Sequence, residues 1–400
     1  MKPIEIAKGV WDVGVIDWNI RDFHGYSTYR GSTYNAFLII DEKIALIDTV
    51  KAHFADQLLD HIAQIVDPKK IDLVISNHTE MDHTGALPRV MHRIGENKPL
   101  YCSKMGRKNI ARHFPQSWNF HEVASGSELS LGRRTLSFLE TRMLHWPDSM
   151  FTLLKEDNIL FSSDAFGQHL ASPAQFDDQA DDGALWLQAK KYFANILLPY
   201  APKILKLIED VEAMGLAPRM ICPDHGILWR KDPAAIVKAY RDWALQKPVK
   251  RAIVVYDTMW HSTETMAEAV GNGLAAEGIP AQLIHIRSSH RSDIITEAMD
   301  AGAMVFGSPT LNNQMFPTVA DVLTYMKGLR PKNKIAAAFG SYGWSGEAVK
   351  MVHQELAAMG CEMAGTDVRL PYVPDAEGRK ACFELGRSVG QALKARLENA

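Results

Sequence analysis

The chain carries two rhythms of apolar and polar positions. Across the first part, short apolar runs of strand length alternate with turns: AFLII (36–40), IALID (44–48), LVIS (73–76), TLSFLE (135–140), ILFSS (159–163) and MICP (220–223). Runs of this length bounded by turn residues read as strands, and Asp41-Glu42-Lys43 between the first two reads as a hairpin turn. Helical spacing appears among them, in LWLQAKKYFANILL (185–198) and PKILKLIEDVEAMG (202–215). Many strands with helices outside them predict a layered αβ/βα sandwich.

A Lys-Pro-Val-Lys break at 247–250 precedes a more regular pattern. Strands are expected at AIVVY (252–256), AQLIHI (281–286), AMVFG (303–307), KIAAAFG (334–340) and GTDVRL (365–370), with a helical stretch after each. Five strands alternating with five helices predict a parallel, doubly wound sheet, in strand order 2-1-3-4-5. The expected division is therefore 1–249 and 250–400.

Composition narrows the class. Four hundred residues exceed one ordinary core, and 46% hydrophobic with 23% charged residues describes a soluble globular chain. A net charge of -3 without a basic run gives no reason to expect nucleic acid or a membrane surface as partner. No apolar stretch approaches the ~20 residues of a membrane span. The beginning, MKPIEIAKGVWDVG, has no apolar signal core, so a cytoplasmic protein is expected. Cys102, Cys222, Cys361 and Cys382 are scattered and form no CxxC pair. Buried thiols are the expectation, and the chain lacks a cysteine-ligated iron module of its own.

The densest chemistry follows LVIS. In SNHTEMDHTGALP (76–88), His78, Glu80, Asp82 and His83 place four metal-ligating side chains within six positions, just past a strand end. Further candidates follow other strands: His145 in RMLHWPDS, Asp164 in FSSDAFG and His225 in CPDHG. Imidazoles suit zinc, whereas added carboxylates favour iron or manganese. Asp148 and Asp224 read as hydrogen-bond partners of these loops.

The His-x-Glu-x-Asp-His spacing resembles the HxHxDH loop of the metallo-β-lactamase fold, with Glu80 where zinc hydrolases of that fold carry a second histidine. With IDWNIRDFHGY (16–26), TYNAFLI (33–39) and SSDAFG, the whole chain resembles the flavodiiron proteins, also called A-type flavoproteins. The resemblance implies a metallo-β-lactamase-like domain followed by a flavodoxin-like domain. It implies one iron held by His78, Glu80 and His145, a second by Asp82 and His225, and Asp164 bridging them. By the same resemblance His83 is an optional ligand, and His24 and Tyr192 are expected beside the ligands as groups that orient them or supply protons.

A second constellation follows AIVVY. The loop Asp257-Thr258-Met259-Trp260-His261-Ser262-Thr263 opens a helix, contains no GxGxxG, and offers hydroxyls and backbone N–H groups suited to a phosphate. It resembles the flavodoxin phosphate loop, T-x-x-x-[ST]-T, and so implies FMN. Gly307-Ser308-Pro309-Thr310-Leu311-Asn312-Asn313 and Gly340-Ser341-Tyr342-Gly343-Trp344-Ser345-Gly346 follow the third and fourth strands, where a doubly wound sheet binds its ligand. Their glycines allow close approach to a flavin ring, and Trp260, Tyr342 or Trp344 could pack on it.

A metal pair and FMN on one chain imply reductive chemistry. The resemblance implies reduction of O2 to water, of NO to N2O, or both. The electron donor would be separate, such as rubredoxin, and the assembly a head-to-tail homodimer. Two alternatives are a zinc hydrolase fused to a flavodoxin module, against which Glu80 speaks, and an electron carrier whose first domain only binds partners.

Overall fold

A computed structural model describes residues 2–399. These residues form two compact units. The first runs to His24 and takes in Thr28–Tyr192 and Tyr200–Arg241; the second takes in Gly25–Ser27, Phe193–Pro199 and the chain from Asp242 onward.

The first unit is built on two sheets. One has seven strands in the order Ile4–Ala7, Val10–Asp12, Phe37–Ile40, Ile44–Ile47, Leu73–Ser76, Pro99–Ser103 and Asn119–Val123. Its first four strands pair antiparallel and the rest parallel. The other has five, in the order Glu128–Ser130, Thr135–Glu140, Met150–Leu154, Ile159–Ser163 and Met220–Pro223. Both faces of the first sheet are covered, which is why its strands read as continuous apolar runs. Leu38, Leu46, Val74 and Leu100 point to a core shared with the helices Ala55–Ala63 and Leu87–Ile94. The alternate residues Phe37, Ile39, Ile47 and Ile75 meet Phe138, Met150 and Phe161 of the second sheet. Emptying such a position, as in Phe161→Ala, costs about 3–5 kcal/mol, so the layer between the sheets is a rigid base for the loops at their ends.

The second unit holds a six-stranded parallel sheet. Ala281–His285, Val249–Tyr256, Ala301–Gly307 and Ile335–Tyr342 lie in that order, and both Glu362–Met363 and Val368–Pro371 pair with the last. This is the expected 2-1-3-4-5 order, with the fifth place divided between two short strands. The helices Ser262–Ala276 and Ala376–Glu398 pack closely because Gly273 and Gly386 face them. A Cβ on Gly273 would lie 2.0 Å from Phe383 O, and one on Gly386 2.1 Å from Val270 O. Among the described residues no helix is long and apolar enough to cross a membrane, and all four cysteines are free thiols.

Candidate metal centre and flavin cleft

The metal-ligand loop is fixed before any ion is considered. Strand Leu73–Ser76 delivers Asn77, whose N and Nδ2 donate to Asp48 at 2.7 and 2.9 Å and whose Oδ1 accepts from Thr152 Oγ1 at 2.6 Å. Thr84 Oγ1 bonds back to Thr79 O and Glu80 O, and Thr49 Oγ1 donates to His83 O at 2.5 Å. These bonds close the short helix Met81–Thr84, so His78, Glu80, Asp82 and His83 project together. Asp148 is fully buried and accepts from Thr79 N, Thr79 Oγ1 and Asn109 Nδ2. Its Oδ2 lies 3.1 Å from His78 Nδ1, which leaves His78 Nε2 facing the centre. His225 Nδ1 lies 2.7 Å from Thr33 O and presents its Nε2 in the same way. Anchoring one ring nitrogen in this manner sets the tautomer that exposes a lone pair on the other.

Two groups result, and they share Asp164. In the first, Asp164 Oδ2 lies 3.3 Å from His78 Nε2 and 3.0 Å from His145 Nε2, while Glu80 Oε2 lies 3.3 and 3.2 Å from the same atoms. In the second, Asp164 Oδ1 lies 3.3 Å from both His225 Nε2 and His83 Nε2. Asp82 Oδ2 is 3.2 Å from His225 Nε2, and Asp82 Oδ1 is 3.4 Å from His83 Nε2. One ligating atom from each of His78, Glu80, His145 and Asp164 lies within 4.8 Å of every other, and the same holds among Asp82, His83 and His225.

These spacings fit a metal centre. Donor atoms about 2.1 Å from a common ion lie about 3.0–3.4 Å apart across bond angles of about 90–110°. Both oxygens of Asp82 and Asp164 and both ring nitrogens of His83 are buried without a hydrogen-bond partner among the described residues. One uncompensated buried charge costs about 3–5 kcal/mol, so several would consume the ~5–15 kcal/mol that keeps a domain folded. Protons on the imidazoles, or cations, have to lie among these carboxylates.

The titration shifts have that same cause. Burial disfavours the charged form of His78, but Asp148, Glu80 and Asp164 outweigh it and raise its pKa well above the usual value. Burial is likewise outweighed at His83 by Asp82, Asp164 and Asp224, which lift it to about 10. Burial pushes the Asp224 carboxyl well above the carboxylate range, and the nearby Asp48 charge adds to this. Tyr192 is buried, its ring centroid 6.1 Å from that of His225; burial, then the Asp164 charge, holds its phenol in the neutral form. His24 is exposed and lies 3.0 Å by its Nε2 from Glu80 Oε1. It lines a cavity of about 790 Å³ that reaches Glu80, Asp82 and His145.

The second unit has its own cleft, of about 430 Å³, past the carboxyl ends of its strands. Met259, Trp260 and Ser262 line it from the first loop, residues 309–313 from the second and residues 341–345 from the third. Thr258, His261, Thr263, Ser308 and Gly346 are not in that lining. Thr263 Oγ1 instead bonds Ser341 Oγ at 2.9 Å, Ser308 Oγ accepts from Phe316 N, and His261 and Gly346 precede helices. Trp260 is 87% and Trp344 88% exposed, an unusual display of large rings that a planar ligand would cover. The buried Thr258 hydroxyl has no hydrogen-bond partner among the described residues, a donor left for an anion. The cleft therefore fits a phosphorylated flavin.

Comparison with known proteins places the chain in a family. The description "ODP family beta lactamase" matches residues 33–226, and flavodoxin matches residues 254–386. A nitric oxide reductase of Moorella thermoacetica is 45% identical over 98% of this chain and 99% of its own. The rubredoxin-oxygen oxidoreductase of Megalodesulfovibrio gigas is 44% identical, covering 99% of this chain and 100% of the relative. The chain belongs to the flavodiiron family. A solved rubredoxin oxygen:oxidoreductase from Desulfovibrio gigas superposes with a TM-score of 0.97 at 44% identity, over 99% of this chain and 100% of that one. A flavodiiron protein from Giardia intestinalis gives 0.96 at 34% identity, over 100% and 98%.

Around the metal groups of this flavodiiron chain stand residues that sequence reasoning missed. His169 is buried, with its ring centroid 4.7 Å from that of His225 and its Nδ1 2.8 Å from Ser32 Oγ. Lys51 holds its Nζ over the rings of Phe23 and Tyr34, 4.8 and 4.6 Å from their centroids, and lines the 790 Å³ cavity. Tyr372 completes the flavin cleft. The only sequence signal for His169 was its place in a loop past a strand, five residues after Asp164.

Asp148→Asn tests the support of His78. It is expected to weaken metal binding about 10–100-fold in chelator competition, with the loss confined to one of the two metal positions.

Proposed function

We propose that this chain reduces O2 to water, NO to N2O, or both, at a non-haem diiron centre, with electrons relayed by FMN from a separate donor such as rubredoxin. The observation that carries the reading is the placement of Asp164, with one oxygen beside His78 and His145 and the other beside His83 and His225, in a chain whose other unit is flavodoxin-like. His78, Glu80 and His145 would hold one iron, Asp82 and His225 the other, with Asp164 between them and His83 beside the second. A donor set of this kind, mixing carboxylates with imidazoles, suits iron better than the all-imidazole set of a zinc hydrolase. When bound, the iron pair and the flavin supply the stored electrons that reduction of O2 or NO requires.

The chain's own residues prepare that chemistry. Asp148 and Thr33 O hold the rings of His78 and His225 in one orientation. His24, exposed at that cavity and in contact with Glu80 Oε1, can take protons from solvent and pass them inward at Nε2. Tyr192 keeps its proton and can donate a hydrogen bond from its hydroxyl. The three loops of the flavin cleft would hold FMN, its phosphate at residues 258–263 and its ring system against Trp260, Tyr342 or Trp344.

The same reading includes a boundary at 249/250, a cytoplasmic setting and a head-to-tail homodimer, which would bring one subunit's flavin close to its partner's metal centre. It is tested by reducing the full-length protein photochemically without oxygen, then adding O2 or NO in separate runs. Rapid consumption of at least one gas, lost when the metals are removed, is expected. Re-oxidation of the flavin at the same rate with and without metals would overturn it.

A further inference from the structure

Side-chain hydrogen bonds tie the loops of the flavin cleft to one another. Thr263 and Ser341 join the first to the third, and Thr310 Oγ1 accepts from Ala348 N at 3.4 Å, joining the second to the helix after the third. The link between the first and second runs through Asp257, which directly follows the strand Val249–Tyr256 and is fully buried. Its carboxylate accepts from Thr258 N at 2.6 Å and from the Thr318 hydroxyl, in the first turn of the helix Pro317–Leu329. It also accepts from Arg287 Nε, 3.0 Å from Oδ1 and 3.2 Å from Oδ2. The Arg287 guanidinium in turn lies 5.2 Å from the centroid of the Phe316 ring, immediately before that helix.

A carboxylate at this place needs a reason, because like charges repel and the loop it opens is suited to a phosphate. Its burial is tolerable because it is paired and hydrogen-bonded. Its donors are Thr258 N and groups outside the loop, so it takes up none of the first-turn N–H groups of the helix Ser262–Ala276. His261, which precedes that helix, makes no capping bond with its side chain, and the Thr265 N to His261 O bond at 3.0 Å opens the helical ladder. The N–H groups of that turn are left for an anion.

We propose that Asp257 is a positioning residue for the flavin phosphate: it anchors the 258–263 loop to Thr318 and Arg287 and so holds the loop's N–H groups ready. A loop ordered in advance binds more tightly because less freedom is lost on binding. The inference rests on the reading of this loop as a phosphate site.

The test titrates the flavin-free full-length protein with FMN and with riboflavin, which has the same rings and no phosphate, followed by flavin fluorescence. The native chain is expected to prefer FMN, and equal affinities would remove the phosphate-site reading itself. In Asp257→Asn one acceptor becomes a donor facing Arg287 or Thr318. FMN affinity is expected to fall roughly 30-fold, and riboflavin affinity by less than about threefold. Thr318→Val removes one donor and leaves the charge; roughly fivefold weaker FMN binding is expected, again with riboflavin spared. Unchanged or tighter FMN binding in Asp257→Asn would mean that the carboxylate merely repels the phosphate. Equal losses for both flavins would mean a general structural role. Either result overturns the proposal, and if Asp257→Asn does not fold, an unchanged or unselective Thr318→Val overturns it alone.

Discussion

Replacing Asp164 with alanine is expected to empty both metal positions together and to leave the flavin bound. The reason is geometric. Asp164 Oδ2 faces His78 and His145, and Oδ1 faces His83 and His225, so one side chain serves both groups. No other carboxylate touches both sets of imidazoles among the described residues. Supports one step removed from a metal are worth about 10–100-fold in affinity, and loss of a shared ligand should exceed that at each position. The flavin cleft lies wholly within the second unit and contains no residue of either metal group. Metal content and flavin absorbance of the purified variant check the result. Loss of a single metal would show that Asp164 serves one position, and loss of flavin as well would show that the site is misplaced.

Metal loading at neutral pH is expected to release protons, chiefly from the imidazoles of His78, His83 and His145. In the metal-free chain, burial opposes protonation of His145, but Asp164 and Glu80 outweigh it and raise its pKa, as happens at His78 and His83. The matching carboxylates move the other way. Burial would raise Asp164, but the His83 and His145 rings bring it well below the usual range, and His145 and His78 do the same for Glu80. The sign for stability follows from linkage. Raised imidazole pKa values stabilise the metal-free fold below their unfolded value near 6.5, and that contribution is lost as pH rises through the folded values, about 10 for His83. Depressed carboxyl pKa values contribute above about pH 4 and are lost as pH falls through the folded values. The metal-free protein should thus lose stability on the alkaline side, where the loaded protein does not, because ions replace the protons. Calorimetry of metal binding in two buffers of different ionisation heat measures the proton count, and melting curves from pH 7 to about pH 10 check the stability. Metal binding without proton release would mean that the imidazoles are neutral beforehand.

Much of this architecture was legible because apolar runs and strand ends coincide. LVIS, TLSFLE, ILFSS and MICP each became a strand with the expected ends, and a ligand follows each of the four within five residues. Among the strands that went unread, Asn119–Val123, NFHEV, has a weak pattern that places polar side chains on an exposed edge. The stretch LWLQAKKYFANILL has helical spacing throughout, yet it leaves the α-helix at Tyr192 and continues as a π-helical turn over Phe193–Leu197. Asn195 in that turn bonds Ser292 O and Thr296 Oγ1, a tertiary demand that spacing does not encode. His169, Lys51 and Tyr372 were illegible for a related reason: each is a lone residue brought to its site by the fold. His83 shows the opposite limit. Its motif left it optional, and its surroundings put its Nε2 among the carboxylate oxygens of Asp82 and Asp164.

The most direct measurement is the metal and flavin content of protein purified without added metal, with Mössbauer spectra of the iron-labelled sample. Two irons in distinct, magnetically interacting environments and one FMN per chain are expected. Two zincs together with ester or thioester hydrolysis, or a single isolated iron, would contradict the account.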